Sequence, residues 1–273
     1  KKYPSLPFID LRREKYCCSF CNSRDPIKMP IDKERRFGGV IRLFGQERFD
    51  VFQRSHVCVV GIGGVGSWAA ESLVRHGVGA ITLIDMDHIA ESNINRQIHA
   101  VEETLGASKI GAMRNRALSI NPEANVIVVD DFLTLENVAE HITSDHHFVI
   151  DAIDQTLIKI QLAEHCLEHN IQLVMTGGAG GKKDPTKIQL ADLKKTHGDP
   201  LLSRIRQHFN KKNLPKTTLY NIPTVFSDEP MTRPIVCEGE SVSSDLSCSG
   251  YGSTLNVTAT FGFLAASHVL KHL

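Results

Sequence analysis

The sequence predicts an α/β fold: a doubly wound, Rossmann-like, mainly parallel sheet with helices on both faces and a C-terminal extension that closes the core. Three observations carry that expectation. An apolar run of strand length, residues 56–60, stops in four glycines within six residues, Gly61, Gly63, Gly64 and Gly66, as a buried strand does when it feeds a phosphate-binding loop. About twenty residues past that loop a second apolar run ends in Asp85, the distance expected of an acid that hydrogen-bonds a ribose. Short apolar strands then alternate with helical patterns up to residue 176, which is how parallel strands joined by crossover helices read.

Taken in order, residues 1–34 hold Pro4, Pro7, Pro26 and Pro30 among many charges and read as an irregular arm. Cys18 and Cys21 form a C-x-x-C there beside Cys17, but no second such pair follows downstream to complete a zinc site. Residues 35–53 place Val40, Ile41, Leu43 and Phe44 among arginines, a helix and turn ahead of the first strand. The glycines of 61–66 let the backbone turn tightly and approach a phosphate, and a helix over 67–76, capped by Gly77, offers that phosphate its free N–H groups and positive dipole end. A strand over 80–85, a helix over 109–120 stopped by Asn121-Pro122, a strand over 125–130 and a short helix over 137–142 follow. Next come a strand over 148–151, a helix over about 157–170 and a strand over 171–176. Ligands of such sheets lie beyond the carboxyl ends of the strands, where Gly61, Asp85 and Asp151 all fall. Residues 35–181 are therefore expected to form the nucleotide-binding domain. Residues 182–273 add a basic segment, a mobile acidic loop over 221–245 and a helix over about 256–270, packed on the same domain.

A glycine loop of this type serves dinucleotide enzymes, adenylate-forming enzymes and some loops that bind nothing, so the charges downstream must separate them. A dinucleotide needs one acid and few cations, whereas a triphosphate attacked at its α-phosphorus needs several positive charges around it, and Arg96 and Lys109 are candidates. Asp151 and Asp154 straddle the end of a strand, where a carboxylate either holds magnesium against phosphates or caps the following helix. Gly177, Gly178, Gly180 and Gly181 form a second flexible loop, which admits a substrate backbone or merely turns the chain.

Gly61 to Gly66, the D-x-D of Asp85 and Asp87, the N-x-x-R-Q of Asn93, Arg96 and Gln97, the G-x-x-K ending at Lys109 and the D-x-x-D of Asp151 and Asp154 together resemble the E1-like, ThiF/MoeB adenylating superfamily. Within it, RFGGVIRLFG, DDFLTLENV, VIDAID, the TGGAGG-x-x-DPT-x-I run of residues 176–188 and the TATFGF near Phe263 are similar to the tRNA threonylcarbamoyladenosine dehydratase family. The resemblance implies an adenylate-forming ligase that uses ATP and Mg2+ to activate the carboxylate of N6-threonylcarbamoyladenosine (t6A) in tRNA, with ring closure expelling AMP. It implies that Gly61, Gly63, Gly64, Gly66, Asp85, Asp87, Asn93, Arg96, Gln97 and Lys109 hold the nucleotide. Asp154 aligns with the superfamily's catalytic aspartate and is the expected metal ligand. An arginine near the start, Arg42 ahead of Arg36, is expected to reach the nucleotide of a neighbouring subunit. The catalytic set on this reading is Arg96, Lys109, Asp154 and Cys248. Cys248 lies in a polar, glycine-containing loop that favours an exposed thiol, but the family's cysteine falls at Ser247, which keeps Cys237 as a rival. The implied partners are tRNA carrying t6A, a second copy of the chain in a homodimer, and a cysteine desulfurase with its sulfur acceptor protein.

Net charge says little about partners, since Lys plus Arg and Asp plus Glu are each 31. Residues 182–216, however, hold ten lysines and arginines against three aspartates, so this segment carries plus seven, the footprint expected of a nucleic-acid surface. Seven dispersed cysteines do not resemble a secreted disulfide framework, and Cys58 and Cys166 sit in apolar patterns as core residues. With no apolar run of membrane-spanning length and no secretory leader at its start, the chain is expected in a reducing cytoplasm and not in a membrane. Two other readings compete. An activator of a ubiquitin-like or sulfur-carrier protein shares the adenylation chemistry, but the basic segment and the lack of a four-cysteine zinc pattern count against it. A nucleotide-binding scaffold or a dinucleotide oxidoreductase does not need Arg96, Lys109 and Asp154.

Overall fold

The strand at the centre of the molecule, β1 (His56–Val60), buries Val57, Cys58, Val59 and Val60 completely or nearly so, as a strand covered on both faces must. It pairs in parallel with β2 (Ala80–Ile84) on one side and β4 (Phe148–Asp151) on the other, with Val57 opposite both Ile81 and Phe148. β3 (Asn125–Val129) lies beyond β2, and β5 (Gln172–Thr176) beyond β4, all parallel. Two further strands extend the sheet: β7 (Pro223–Ser227) runs parallel to β5, and β6 (Ile188–Asp192) runs antiparallel to β7. The order is β3-β2-β1-β4-β5-β7-β6. This is the doubly wound, Rossmann-like sheet that the sequence predicts, and it reverses direction between β1 and β4, where such sheets open a crevice.

This computed structural model describes residues 31–211, 217–232 and 251–273. Cys17, Cys18, Cys21, Cys237, Ser247 and Cys248 lie outside the described residues, as does most of the acidic loop expected over 221–245. Within that range residues 223–227 correct the expectation, because β7 is a buried strand and not a loop. Its Val225 and Phe226 are its only large apolar residues, and Thr224 and Ser227 are buried with their hydroxyls bonded to Ile222 O at 3.0 Å and Glu229 N at 3.2 Å, so no apolar run advertises it.

The helices up to residue 176 fall within two residues of their expected bounds, with one refinement. Residues expected as one helix and turn form α1 (Lys33–Phe44) and α2 (Gln46–Arg54), separated at Gly45 with φ 84°. α3 (Gly66–Arg75) ends in Gly77 at φ 81°, as a left-handed cap requires. α4 (Lys109–Ile120) is capped by Ser108, whose Oγ accepts from Gly111 N. α5 (Val138–His141), α6 (Thr156–Glu168) and α7 (Pro200–Asn210) follow, the last unannounced by any expectation. α8 (Leu255–His272) buries Val257, Phe261, Ala265, Ala266 and Val269 fully and closes the core as expected. It does so against α3, where a Cβ on Gly262 would lie 2.5 Å from Val65 O. Residues Lys33–Leu273 form one compact unit. Cys58 and Cys166 are buried core residues, and burial pushes both thiols up, Cys166 to about 12, so neither is reactive.

Candidate active site

A cleft of about 440 Å³ opens at the carboxyl ends of β1, β2, β4 and β5. Its floor is the first glycine loop, whose path is set first by sterics. Gly61 has φ 86°, and a Cβ on Gly66 would lie 1.8 Å from Gly61 O, so the start of α3 is pressed against the end of β1. No side chain caps α3, and within its first turn Ser67 N donates to Gly63 O and Ala69 N to Val65 O, each at 3.1 Å, while the positive end of the helix dipole faces the loop. A Cβ on Gly64 would meet the Arg96 side chain at 3.2 Å, so Arg96 lies over the loop.

Acids and cations alternate along the wall beside this loop. Asp85 Oδ2 accepts from Ile62 N at 2.6 Å and Oδ1 from Asp87 N at 2.8 Å, so the acid expected on the ribose also shapes the glycine loop. Burial, the largest influence, pushes the Asp85 carboxyl above the usual range, while Lys109 and the two N–H groups act the other way. Lys109 is buried at the first residue of α4 and pairs with Asp87 Oδ2 at 2.6 Å. Arg96 donates from Nη1 to Ser92 O at 2.7 Å and to Asn95 Oδ1 at 2.9 Å, and its own carbonyl accepts from Trp68 Nε1 at 2.8 Å. Asn93 accepts from Ala90 N and holds this turn. Gln97 is buried on the cleft wall, and its Oε1 has no partner among the described residues. His99 is buried, neither ring nitrogen has a hydrogen-bond partner among the described residues, and burial, then Lys109 and Arg116, push it down to about 4.

Opposite, the turn from β4 into α6 places Ala152, Ile153, Asp154 and Gln155 on the cleft. Gln155 occupies the cap position of α6, so neither aspartate caps that helix. Asp154 is an exposed carboxylate facing the cleft. Asp151 points inward, accepting from Ile153 N and pairing with Lys159 Nζ at 2.8 Å. The second glycine loop, Gly177 to Gly181, completes the far side together with Asp199, Met231, Tyr251 and Thr258. Asp199 Oδ2 accepts from Gly178 N at 2.8 Å while Oδ1 caps α7 through Leu202 N at 3.1 Å.

The structure thus brings together Gly61, Gly63, Gly64, Asp85, Asp87, Asn93, Arg96, Gln97, Lys109 and Asp154 around one cleft, with Gly66 immediately behind its floor. Arg42 is exposed on α1 and does not line the cleft of its own chain, while Arg36 donates to Ile120 O, the last carbonyl of α4, at 2.8 Å. Lys159, Asp199, Tyr251 and Thr258 escape sequence reasoning. Asp199 had a signal in Asp-Pro at a helix start. Among the described residues no three His, Cys, Asp or Glu side chains cluster as a metal site of their own.

Residues 38–273 match the ThiF family. The chain belongs to the ThiF family. It is 47% identical over 251 residues to the tRNA threonylcarbamoyladenosine dehydratase of Escherichia coli (strain K12), covering 88% of this chain and 93% of that protein. To the Haemophilus influenzae tRNA threonylcarbamoyladenosine dehydratase it is 44% identical over 245 residues, covering 88% and 94%. The crystal structure of the E. coli tRNA N6-threonylcarbamoyladenosine dehydratase in complex with ATP superposes with a TM-score of 0.80 at 45% identity, covering 88% of this chain and 93% of that one. Its ThiF membership makes the superfamily resemblance of residues 61–154 a family relationship.

Proposed function

We propose that the chain is an ATP-dependent dehydratase that cyclises t6A in tRNA through an acyl-adenylate. The observation that carries this reading is the single cleft that joins a phosphate-binding half, from the glycine loop to Arg96 and Lys109, to a second half bounded by Asp154 and the Gly177–Gly181 loop. The similar enzymes named for this reaction support it, as does the ATP bound in one of them. A carboxylate is a poor electrophile. Its oxygen attacks the α-phosphorus and pyrophosphate leaves; a nitrogen of the same modified base then attacks the acyl carbon, AMP departs with its electron pair, and the nitrogen's proton goes to solvent.

Arg96 and Lys109 neutralise the phosphates during the first step, the positive end of the α3 dipole faces them, and Asp85 takes the ribose. Asp154 suits a Mg2+ ion that draws its other ligands from phosphates and water, which is how that ion is usually held. A homodimer would bring Arg42 to the partner's nucleotide. The cytoplasm, and a cysteine desulfurase with its sulfur acceptor, complete the setting. Arg96→Ala and Asp154→Ala should each cost about 2 to 4 kcal/mol of transition-state stabilisation with little effect on melting. Single-turnover AMP release on t6A-containing tRNA tests this, and wild-type rates in both variants would remove the adenylation site.

For tRNA, the basic segment positions the backbone and the second glycine loop admits the splayed base. Lys182 does not belong to that surface, because it is buried with its ammonium on the carbonyls of Gly198, Ser227 and Glu229. Lys195 and Arg204 are exposed. Reversing both to Glu should weaken tRNA binding and flatten its salt dependence by about 0.7 to 0.9 in logarithmic slope per lost phosphate contact, with ATP affinity unchanged. An unaltered slope would move the RNA surface elsewhere.

A further inference from the structure

Lys159 and Asp151 are both fully buried, and their ion pair at 2.8 Å lies directly beneath the turn that carries Asp154. The ammonium makes more than that pair. It also donates to Ile153 O at 3.0 Å and reaches Asp151 O at 3.5 Å. Thr176 Oγ1 donates to the same Asp151 carbonyl at 3.1 Å, and Ile153 N donates to Asp151 Oδ1 at 3.3 Å, so β4, β5 and the turn are tied at one point. The turn in its place touches the phosphate loop: a Cβ on Gly61 would lie 3.0 Å from Ala152 C and O, and one on Gly66 would lie 3.3 Å from Ala152 Cβ.

Stability does not account for this arrangement. A buried ion pair is weak evidence for stability, since an apolar pair of similar volume often serves as well. Among the described residues Asp151 Oδ2 is also left without a partner, and Lys159 puts a positive charge in the first turn of α6, where the helix dipole disfavours it. What an apolar pair cannot do is fix the Ile153 carbonyl and hence the direction in which the next residue leaves the strand.

We propose that Lys159 is a positioning residue for adenylation, its ammonium holding the 152–154 turn so that Asp154 faces the phosphates bound on the first glycine loop. The proposal rests on the adenylation reading of the cleft. Two double variants separate position from charge. Asp151→Leu with Lys159→Met removes both charges without stranding either and leaves nothing to hold Ile153 O. Asp151→Asn with Lys159→Gln removes the charges and keeps a donor near that carbonyl. Each is compared with the wild-type enzyme by thermal melting, ATP affinity, and kcat and KM for AMP release on t6A-containing tRNA. The apolar pair should fold, bind ATP within about threefold of wild type, and lose roughly a hundredfold in kcat with little change in KM, the scale of a misplaced reacting group. The amide pair should recover most of that loss. A wild-type kcat in the apolar pair overturns the proposal. So does an amide pair as slow as the apolar one, which would make charge the essential property, or an apolar pair that does not fold, which would make the role structural. If the wild-type enzyme itself releases no AMP, the adenylation reading fails before Lys159 is in question.

Discussion

At the first glycine loop a Cβ on Gly66 would sit 1.8 Å from the Gly61 carbonyl oxygen, and at the second a Cβ on Gly177 would sit 2.4 Å from Asp199 Oδ2. Each of these two positions excludes a side chain, but by different means. The first loop has its closest approach within its own strand-loop-helix unit, Gly66 against Gly61 O, and is steadied from outside by Asp85 on Ile62 N and by the Ala152 turn beneath Gly61. The second is held by parts of the chain far along the sequence: Asp199 takes Gly178 N, Gly181 N donates to Gly252 O at 2.8 Å, and Gly181 O accepts from Thr232 N at 2.8 Å. A turn closed so tightly by its own backbone suits a ligand of fixed shape such as a triphosphate. One assembled from distant segments reports on whether those segments are in place.

The sharpest way to break the comparison is Gly66→Ala. A methyl group against a backbone oxygen cannot be relieved by a side-chain rotation, so we expect a loss of about 3 kcal/mol in urea unfolding together with loss of ATP binding. Gly180→Ala is the control in the second loop, because among the described residues its Cβ would meet only Tyr251 Cβ at an ordinary 3.5 Å, and its stability should stay near wild type. Equal losses in the two variants would erase the distinction.

Acid should act through His99, which lies near Lys109 and Arg116. Its folded-state value, about 4, lies below the ordinary 6.5, so the unfolded chain takes up the proton first. Its contribution to stability is complete above about 6.5 and is lost as pH falls toward about 4, reaching about 2 kcal/mol of loss at pH 5. His146 and His268, also pushed down to about 4 chiefly by burial, act with the same sign away from the cleft. Urea unfolding at pH 7.5 and pH 5 should therefore show a fall that shrinks in His99→Leu; an identical fall would mean that His99 is not neutral in the folded protein.

The smallest effect belongs to the second loop. Asp199→Ala removes the α7 cap and the acceptor of Gly178 N and should cost about 1 kcal/mol of stability. Its functional signature is more telling, since tRNA-dependent turnover should fall while ATP affinity stays within about threefold, the selectivity expected when only the second half of the cleft loosens. Calorimetry with ATP beside turnover on t6A-containing tRNA measures both.

The same contrast explains what could be read before folding. Gly61 to Gly66 and Asp85 were legible because the close approach they permit is written in the glycines themselves and in one acid at a fixed distance. Arg96, Lys109 and Asp154 were legible only as a pattern of charge types and family motifs; their gathering around one cleft is a fact of the fold. β7 was hidden because two apolar residues and two satisfied hydroxyls make no strand-like run. Lys159 was hidden more deeply, since a lysine in a helix ordinarily faces water, and nothing in Leu157-Ile158-Lys159-Ile160 says that its ammonium ends on a strand. Asp199 acts on a residue 21 positions earlier, a link that no local pattern encodes.

α8 carries a consequence for synthesis. Gly262 backs the first turn of α3 so closely that its Cβ would lie 2.9 Å from Ala69 N, and Phe263 meets Trp68 edge to face at 5.7 Å. The phosphate cradle is thus translated early but buttressed by a helix translated late. A chain truncated before residue 255 would carry its nucleotide loop complete in sequence and unsupported in space, with the Trp68 and Ala69 side of α3 uncovered, the kind of apolar exposure on which chaperones and proteases act.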